Sequence, residues 1–215
     1  VHYLAFVEAS ITAFGRARFA SGQRAVNTDP APVFIVGIAR SGTMLCEQIL
    51  AAHVQAHGAG ERPALGQAFA ALGGGTDTAP VRRIASLDAP TLDAAAAAYL
   101  AALHALAPDL TWIVDKLPDN HLYLGLVGLL LPGAQIIHCV RDPRDIGLSI
   151  CTFRFYGSHG YARDLGDLGG TIAQSDRVMA HWRQVLPNPI LTVRPGCRLL
   201  QHRAAPHGGA LFARH

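Results

Sequence analysis

The sequence predicts an α/β domain, a mostly parallel sheet flanked by helices in three layers. Residues 33–36, Val-Phe-Ile-Val, form a β-branched and apolar run ending at Gly37, and a helical spacing of Thr43, Leu45, Cys46, Ile49 and Leu50 follows about five residues later. Two further runs, residues 111–114 and 135–140, are also followed by helical segments, and the second is nearly continuously apolar, as expected of a strand covered on both faces. The chain has 215 residues, half of them apolar, which is enough to bury one substantial core.

Residues 1–26 carry an amphipathic helical pattern through Leu4, Phe6, Val7, Ile11 and Phe14, expected to pack outside the sheet, and Asn27-Thr28-Asp29-Pro30 breaks it. Residues 1–30 are therefore read as a helical segment with its linker, and residues 31–193 as the domain. Within the domain, glycines interrupt residues 51–67, and residues 72–79 (Leu-Gly-Gly-Gly-Thr-Asp-Thr-Ala) read as a surface loop. Residues 91–106 are an alanine-rich helix with Asp93 in its first turn, ending before Pro108. Residues 119–131 form a helix with a broad apolar face, stopped by Pro132-Gly133. A helix over residues 171–186, with Met179 and Trp182 as core, and a last strand at 189–193 complete the pattern. Residues 194–215 lose all periodicity and are read as an unstructured tail. Without an initiator methionine, the sequence is expected to begin inside a longer product.

Between the first strand and its helix lies Gly37-Ile-Ala-Arg-Ser-Gly42-Thr43, the G-x-x-x-x-G spacing with which backbone N–H groups and a helix N-terminus face a phosphate. A nucleoside-triphosphatase loop continues Lys-[Ser/Thr], with the hydroxyl on magnesium. Thr43 and Met44 stand there instead, and a thioether is a poor ligand for hard Mg²⁺. The cation has moved inside the loop, to Arg40, so the expected ligand is an anion cradled without a metal.

The formal charge is +3, but residues 194–215 hold four arginines and no acid, leaving the rest of the chain at −1. That balance argues against a nucleic-acid partner. Cys46, Cys139, Cys151 and Cys197 form no C-x-x-C pair and read as reduced thiols, Cys46 and Cys139 buried. His53 and His57 lack a third metal ligand. No secretory signal opens the chain, and Pro132-Gly133 divides the apolar stretch 122–140 into runs too short to cross a bilayer, so a soluble, cytoplasmic protein without a membrane partner is expected.

The run FIVGIARSGTMLCEQIL resembles the 5′-phosphate-binding P-loop of sulfotransferases that use 3′-phosphoadenosine 5′-phosphosulfate (PAPS), especially the bacterial tetratricopeptide-linked and tyrosylprotein types. A second block, DKLPDNHLYLGLVGLLLPGAQIIHCVRDPRDIGLSICTFRF, is similar to that family's middle segment and 3′-phosphate motif. The resemblance covers residues 33–193 and implies a P-loop fold, PAPS as co-substrate and an acceptor hydroxyl on a tyrosyl peptide, a sugar or a small phenol. It implies that Gly37, Arg40, Ser41, Gly42, Thr43 and Met44 surround the 5′-phosphate and that Arg141 and Ser149 hold the ribose 3′-phosphate. It places the catalytic base at Glu61 and the sulfuryl-stabilising cation at Lys116, the only lysine in the chain, with Arg40 beside them.

Competing roles are a helix cap near Pro63 for Glu61 and a surface pair with Asp145 for Arg141, which Arg144 could take over. Glu47 reads as a solvated residue on the polar side of the loop helix. At the level of the whole chain, the alternatives are a non-catalytic nucleotide-binding remnant, favoured by Met44 and the aberrant tail, and a P-loop small-molecule kinase, disfavoured by the missing loop lysine.

Overall fold

Six consecutive buried residues make β1 (Pro32–Gly37) the middle strand of a five-stranded sheet. In the computed structural model, which describes residues 2–75, 77–152 and 164–194, the strand order is β2-β3-β1-β4-β5 and every pairing is parallel. The partners are β2 (Ala56–Gly58), β3 (Trp112–Lys116), β4 (Gln135–Cys139) and β5 (Ile190–Val193). From β1 the chain passes to the edge strand β2, comes back to β3 beside β1, and then crosses to β4 and β5 on the other side, so the switch from β3 to β4 across β1 leaves a crevice at the carboxyl ends of these strands, where open α/β sheets bind ligands. Register aligns Ile35 with Lys116 and Gly37 with Cys139, which brings the ends of β3 and β4 to the loop that follows β1.

Both faces are covered, which is why these strands are apolar throughout. Phe34, Val36, Ile113 and Ile136 join a large core with α1 (His2–Ala13), α5 (Thr78–Ala85), α6 (Ala89–His104), α7 (Leu124–Leu130) and α9 (Leu165–Val185). Val33, Ile35, Val114, Ile137 and Cys139 face the other way, against Cys46 and Leu50 of α3 (Thr43–Ala51). This is the three-layer α/β arrangement expected from the sequence.

The N-terminal pattern resolves into two helices, α1 and α2 (Arg16–Ala20), and it is not peripheral: Phe6, Val7 and Phe14 belong to the main core. Helix α6 starts at Ala89 because Asp88 caps it, accepting the Thr91 N–H at 3.1 Å; Asp93 instead accepts the Val26 N–H at 2.7 Å. Likewise α9 begins at Leu165, ahead of the expected Thr171, because Asp164 caps it by accepting the N–H groups of Gly166 and Asp167. Met179 and Trp182 are fully buried core. Residues 119–131 divide into a 3₁₀ helix (Pro118–Tyr123) and α7, and all seven residues of α7 are buried, on the order of 1.5–3 kcal/mol for each leucine.

Two elements have no counterpart in the sequence pattern. Helix α5 follows the glycine loop directly and buries Val81 and Ile84; strand β2, only three residues long, adds an edge beyond β3. The remaining helices are α4 (Ala64–Ala71) and α8 (Pro143–Thr152). Residues 195–215, most of the expected tail, with Cys197, lie outside the described residues. No helix among the described residues is long and apolar enough to cross a membrane.

Candidate functional site

The loop after β1 is built to bring backbone close to a ligand. A Cβ on Gly37 would lie 2.6 Å from the Cys139 carbonyl oxygen and 2.7 Å from Ser41 Oγ, so only glycine lets the loop pass this close to the end of β4. Arg40 has φ 69°, the one non-glycine residue at positive φ among the described residues, and Gly42 has φ 98°. Left-handed residues alternating with ordinary ones are the backbone form that turns successive N–H groups to one side. Gly42 is also the N-cap of α3, and no side chain caps that helix start, so its first amides and the positive end of its dipole remain available to an anion. Ser41 Oγ is buried, with no hydrogen-bond partner among the described residues. An orphaned buried hydroxyl in such a loop fits a bound phosphate, which would satisfy it.

A cleft of about 670 Å³ opens on the loop. Its walls come from the loop (Arg40, Gly42, Thr43, Met44), from Glu61, and from Leu117 to Asp119 after β3, with Arg141 at one side. Met44 is 64 % exposed, so its thioether faces outward where a triphosphatase would hold magnesium.

On the β4 flank, Arg40 Nε donates to Ser149 Oγ at 2.8 Å and Arg141 Nη1 donates to the Arg40 carbonyl at 3.3 Å. Three residues singled out from the sequence thus meet around one stretch of backbone, joining the loop to the first turns after β4. The surface pair with Asp145 also exists, at a long 3.6 Å. Arg144 does not take that role: it makes a forked bond to Asp142 (3.0 and 2.8 Å), which holds the Asp142 carboxyl well below the usual carboxylate range.

On the β3 flank, Lys116 Nζ lies 2.7 Å from Glu61 Oε1. The ammonium is almost fully buried and Glu61 covers it from the cleft side, with 55 % of the glutamate side chain exposed. Helix α4 starts at Ala64, with Pro63 as its N-cap residue and no side-chain cap, so Glu61 is engaged with Lys116 and not with the helix. Arg40, expected beside Lys116, is directed to Ser149 on the opposite flank. The residue before Lys116 is fixed equally firmly: Asp115 is fully buried, accepts from Tyr99 Oη at 2.7 Å and from Asn120 Nδ2 at 3.1 Å, and burial pushes its carboxyl up to about 6.

Sequence reasoning misplaced Glu47. It is 6 % exposed, its Oε2 is 3.7 Å from Lys116 Nζ, and its Oε1 accepts the Gly60 N–H at 2.8 Å. The expected apolar stripe of α3 is partly outward instead, with Leu45 and Ile49 about half exposed, while Thr43 and Glu47 are the buried residues. The signal was present in the spacing: Glu47 is one turn beyond loop residue Thr43 on the same helix face. Cys46 and Cys139 share a hydrogen bond behind the loop, which lowers the Cys46 pKa and, with burial, raises that of Cys139. Among the described residues no group of three or more His, Cys, Asp or Glu is placed to hold a metal ion; His53 Nδ1 accepts the Gln55 N–H.

Comparison with known proteins converges on these elements. An uncharacterized protein of Aquifex aeolicus (strain VF5) is 34 % identical over 169 residues, 74 % of this chain and 22 % of that protein, so the chain spans about a fifth of that relative's length. Residues 32–194, from the first residue of β1 to the residue after β5, match the sequence model of the Sulfotransferase family. The match takes in the loop and both of its flanks, and the chain belongs to the sulfotransferase family.

Proposed function

We propose that this domain transfers a sulfuryl group from PAPS to an acceptor hydroxyl. The observation that carries the reading is the Glu61–Lys116 pair, 2.7 Å apart, with Glu61 lining the same cleft as a phosphate loop without the triphosphatase lysine and Lys116 buried behind it. In the proposed reaction the acceptor oxygen forms a bond to sulfur as the bond from sulfur to the 5′-phosphate oxygen breaks, and the acceptor proton passes to Glu61. Loop amides with Arg40, Ser41 and Thr43 hold the 5′-phosphate and, with it, the leaving charge. Lys116 stabilises charge on the sulfuryl oxygens, the kind of preorganised electrostatic contribution that dominates group transfer. For this the resting Glu61–Lys116 pair has to part, Glu61 turning to the acceptor while Lys116 turns to the sulfuryl group. Arg141, with Ser149, holds the ribose 3′-phosphate through charge-assisted bonds.

Adenosine 3′,5′-bisphosphate should bind in EDTA, and magnesium should change its affinity little, because Met44 removes the hydroxyl a metal would use. Calorimetry in both conditions reads this, and strict magnesium dependence would transfer the reading to a kinase. Incubation with PAPS and a panel of phenols, sugars and tyrosyl peptides then separates an enzyme from a nucleotide-binding remnant, which would hold the bisphosphate but release no product.

Arg141→Ala should weaken the bisphosphate by roughly 1.5–3 kcal/mol, the scale of a charge-assisted hydrogen bond. Adenosine 5′-phosphate, lacking the group Arg141 recognises, should bind the variant almost as it binds the parent. Equal weakening of both ligands would assign Arg141 to the hydrogen bond with the Arg40 carbonyl instead.

A further inference from the structure

We infer that Glu47 is a positioning residue that holds both working groups of the β3 flank, Lys116 with one carboxylate oxygen and the backbone ahead of Glu61 with the other. Its place in catalysis rests on the sulfuryl-transfer reading; the double attachment stands on geometry alone.

Gly60 is the point where the chain leaves the edge of β3 and turns toward the cleft. Its carbonyl accepts from the Lys116 N–H at 3.1 Å, its own N–H is taken by Glu47 Oε1 at 2.8 Å, and its φ of +73° makes the turn that places Glu61 over Lys116. Glu47 reaches this peptide because Gly58 leaves room: a Cβ there would lie 3.4 Å from Glu47 Cγ and Oε1 and 3.2 Å from the Ala51 Cβ. The other oxygen of Glu47 is 3.7 Å from Lys116 Nζ, so the buried ammonium lies between two carboxylates, one on α3 and one at the cleft.

A neutral acceptor would satisfy Gly60, so the charge on Glu47 has a separate task. When Glu61 takes the acceptor proton it ceases to be an anion, and without Glu47 the protein would offer Lys116, about 4 % exposed, no counter-charge once the sulfuryl group has moved to the acceptor. An uncompensated buried ammonium is strongly disfavoured and would be drawn away toward water. Glu47 is buried away from the cleft and does not share in the proton transfer, so its contact with Lys116 holds the ammonium in place while Glu61 changes state.

Lys116 is the only lysine, so lysine labelled with ¹³C and ¹⁵N in the full 215-residue chain gives one set of side-chain signals that reports its order without any assay of turnover. Glu47→Gln retains an oxygen for Gly60 and loses the charge. We expect the Lys116 Nζ signal to move toward that of a solvated lysine and its order parameter to fall, while the bisphosphate Kd changes by less than about threefold. In the transfer assay kcat should fall by ~10²-fold, the cost of a small misplacement of a reacting group, with KM for PAPS nearly unchanged. Glu61→Gln supplies a second test that does not depend on Glu47→Gln folding: with the exposed partner neutralised, Lys116 should stay ordered, held by Glu47. Release of Lys116 by Glu61→Gln alone would overturn the inference. So would an unchanged Lys116 signal in Glu47→Gln accompanied only by a lower Tm. If the parent chain transfers no sulfuryl group while Lys116 loses order in Glu47→Gln as expected, the double attachment stands and it is the reaction that falls.

Discussion

Glu61→Gln should leave adenosine 3′,5′-bisphosphate affinity unchanged and lower sulfuryl transfer by ~10²–10⁴, the usual contribution of a general base. In the proposed reaction Glu61 meets Lys116 and the acceptor but neither phosphate, so it contributes little to holding the bisphosphate. Stability is not expected to confound the measurement. Glu61 caps no helix, its side chain is more than half exposed, and the buried Lys116 it pairs with keeps Glu47 as a second carboxylate at 3.7 Å, so little stability rests on Glu61 alone. Lys116→Ala should also cut turnover, and by more than it weakens PAPS, because charge on the sulfuryl group shifts most in the transition state. Steady-state kinetics beside calorimetry and a thermal melt reads all three quantities. A Glu61→Gln protein that melts several degrees lower yet keeps its specific activity would remove Glu61 from the chemistry and leave only the cofactor assignment standing.

Gly37→Ala should abolish bisphosphate binding and destabilise the fold by at least ~1–3 kcal/mol, the cost of overpacking a close-packed site. The added Cβ would sit 2.6 Å from a backbone oxygen of β4 and 2.7 Å from Ser41 Oγ, and a strand in the middle of a parallel sheet cannot move aside for it. Relief comes only by displacing the loop, which moves Ser41 and the amides around Arg40 away from the phosphate position. Urea unfolding and calorimetry test both halves of the expectation. Full affinity in a destabilised protein would show that the loop does not contact the nucleotide at this point.

The strand-loop-helix unit of residues 32–51, strands β3, β4 and β5, and helices α6 and α9 were legible in the chain because each is specified by its own neighbours: apolar runs, helical spacing, breakers. Arg40 was legible from its place inside the loop, and Arg141 and Ser149 from the resemblance to the sulfotransferase family; the structure places Arg40 within hydrogen-bond reach of the other two. Element ends were less visible, since caps such as Asp88 and Asp164 act through single side chains. Strand β2 could not be read at all: Ala-His-Gly has no period, and it becomes a strand only because the edge of β3 offers unpaired backbone groups.

Glu47 marks the limit most clearly. By local pattern it is an acid on the polar side of a helix, and the expectation of solvation follows. Its environment is made by Gly60, thirteen residues on, and by Lys116, which reaches it from the adjoining strand. The sequence by itself determined the loop, the strands that lead into it and the residue types that face an anion, because these depend on spacing within a few turns of chain. Tertiary structure alone decided which carboxylates share the lysine and which flank Arg40 joins, because a buried charge takes whichever partners the sheet brings within reach, and strand order is set by long-range packing.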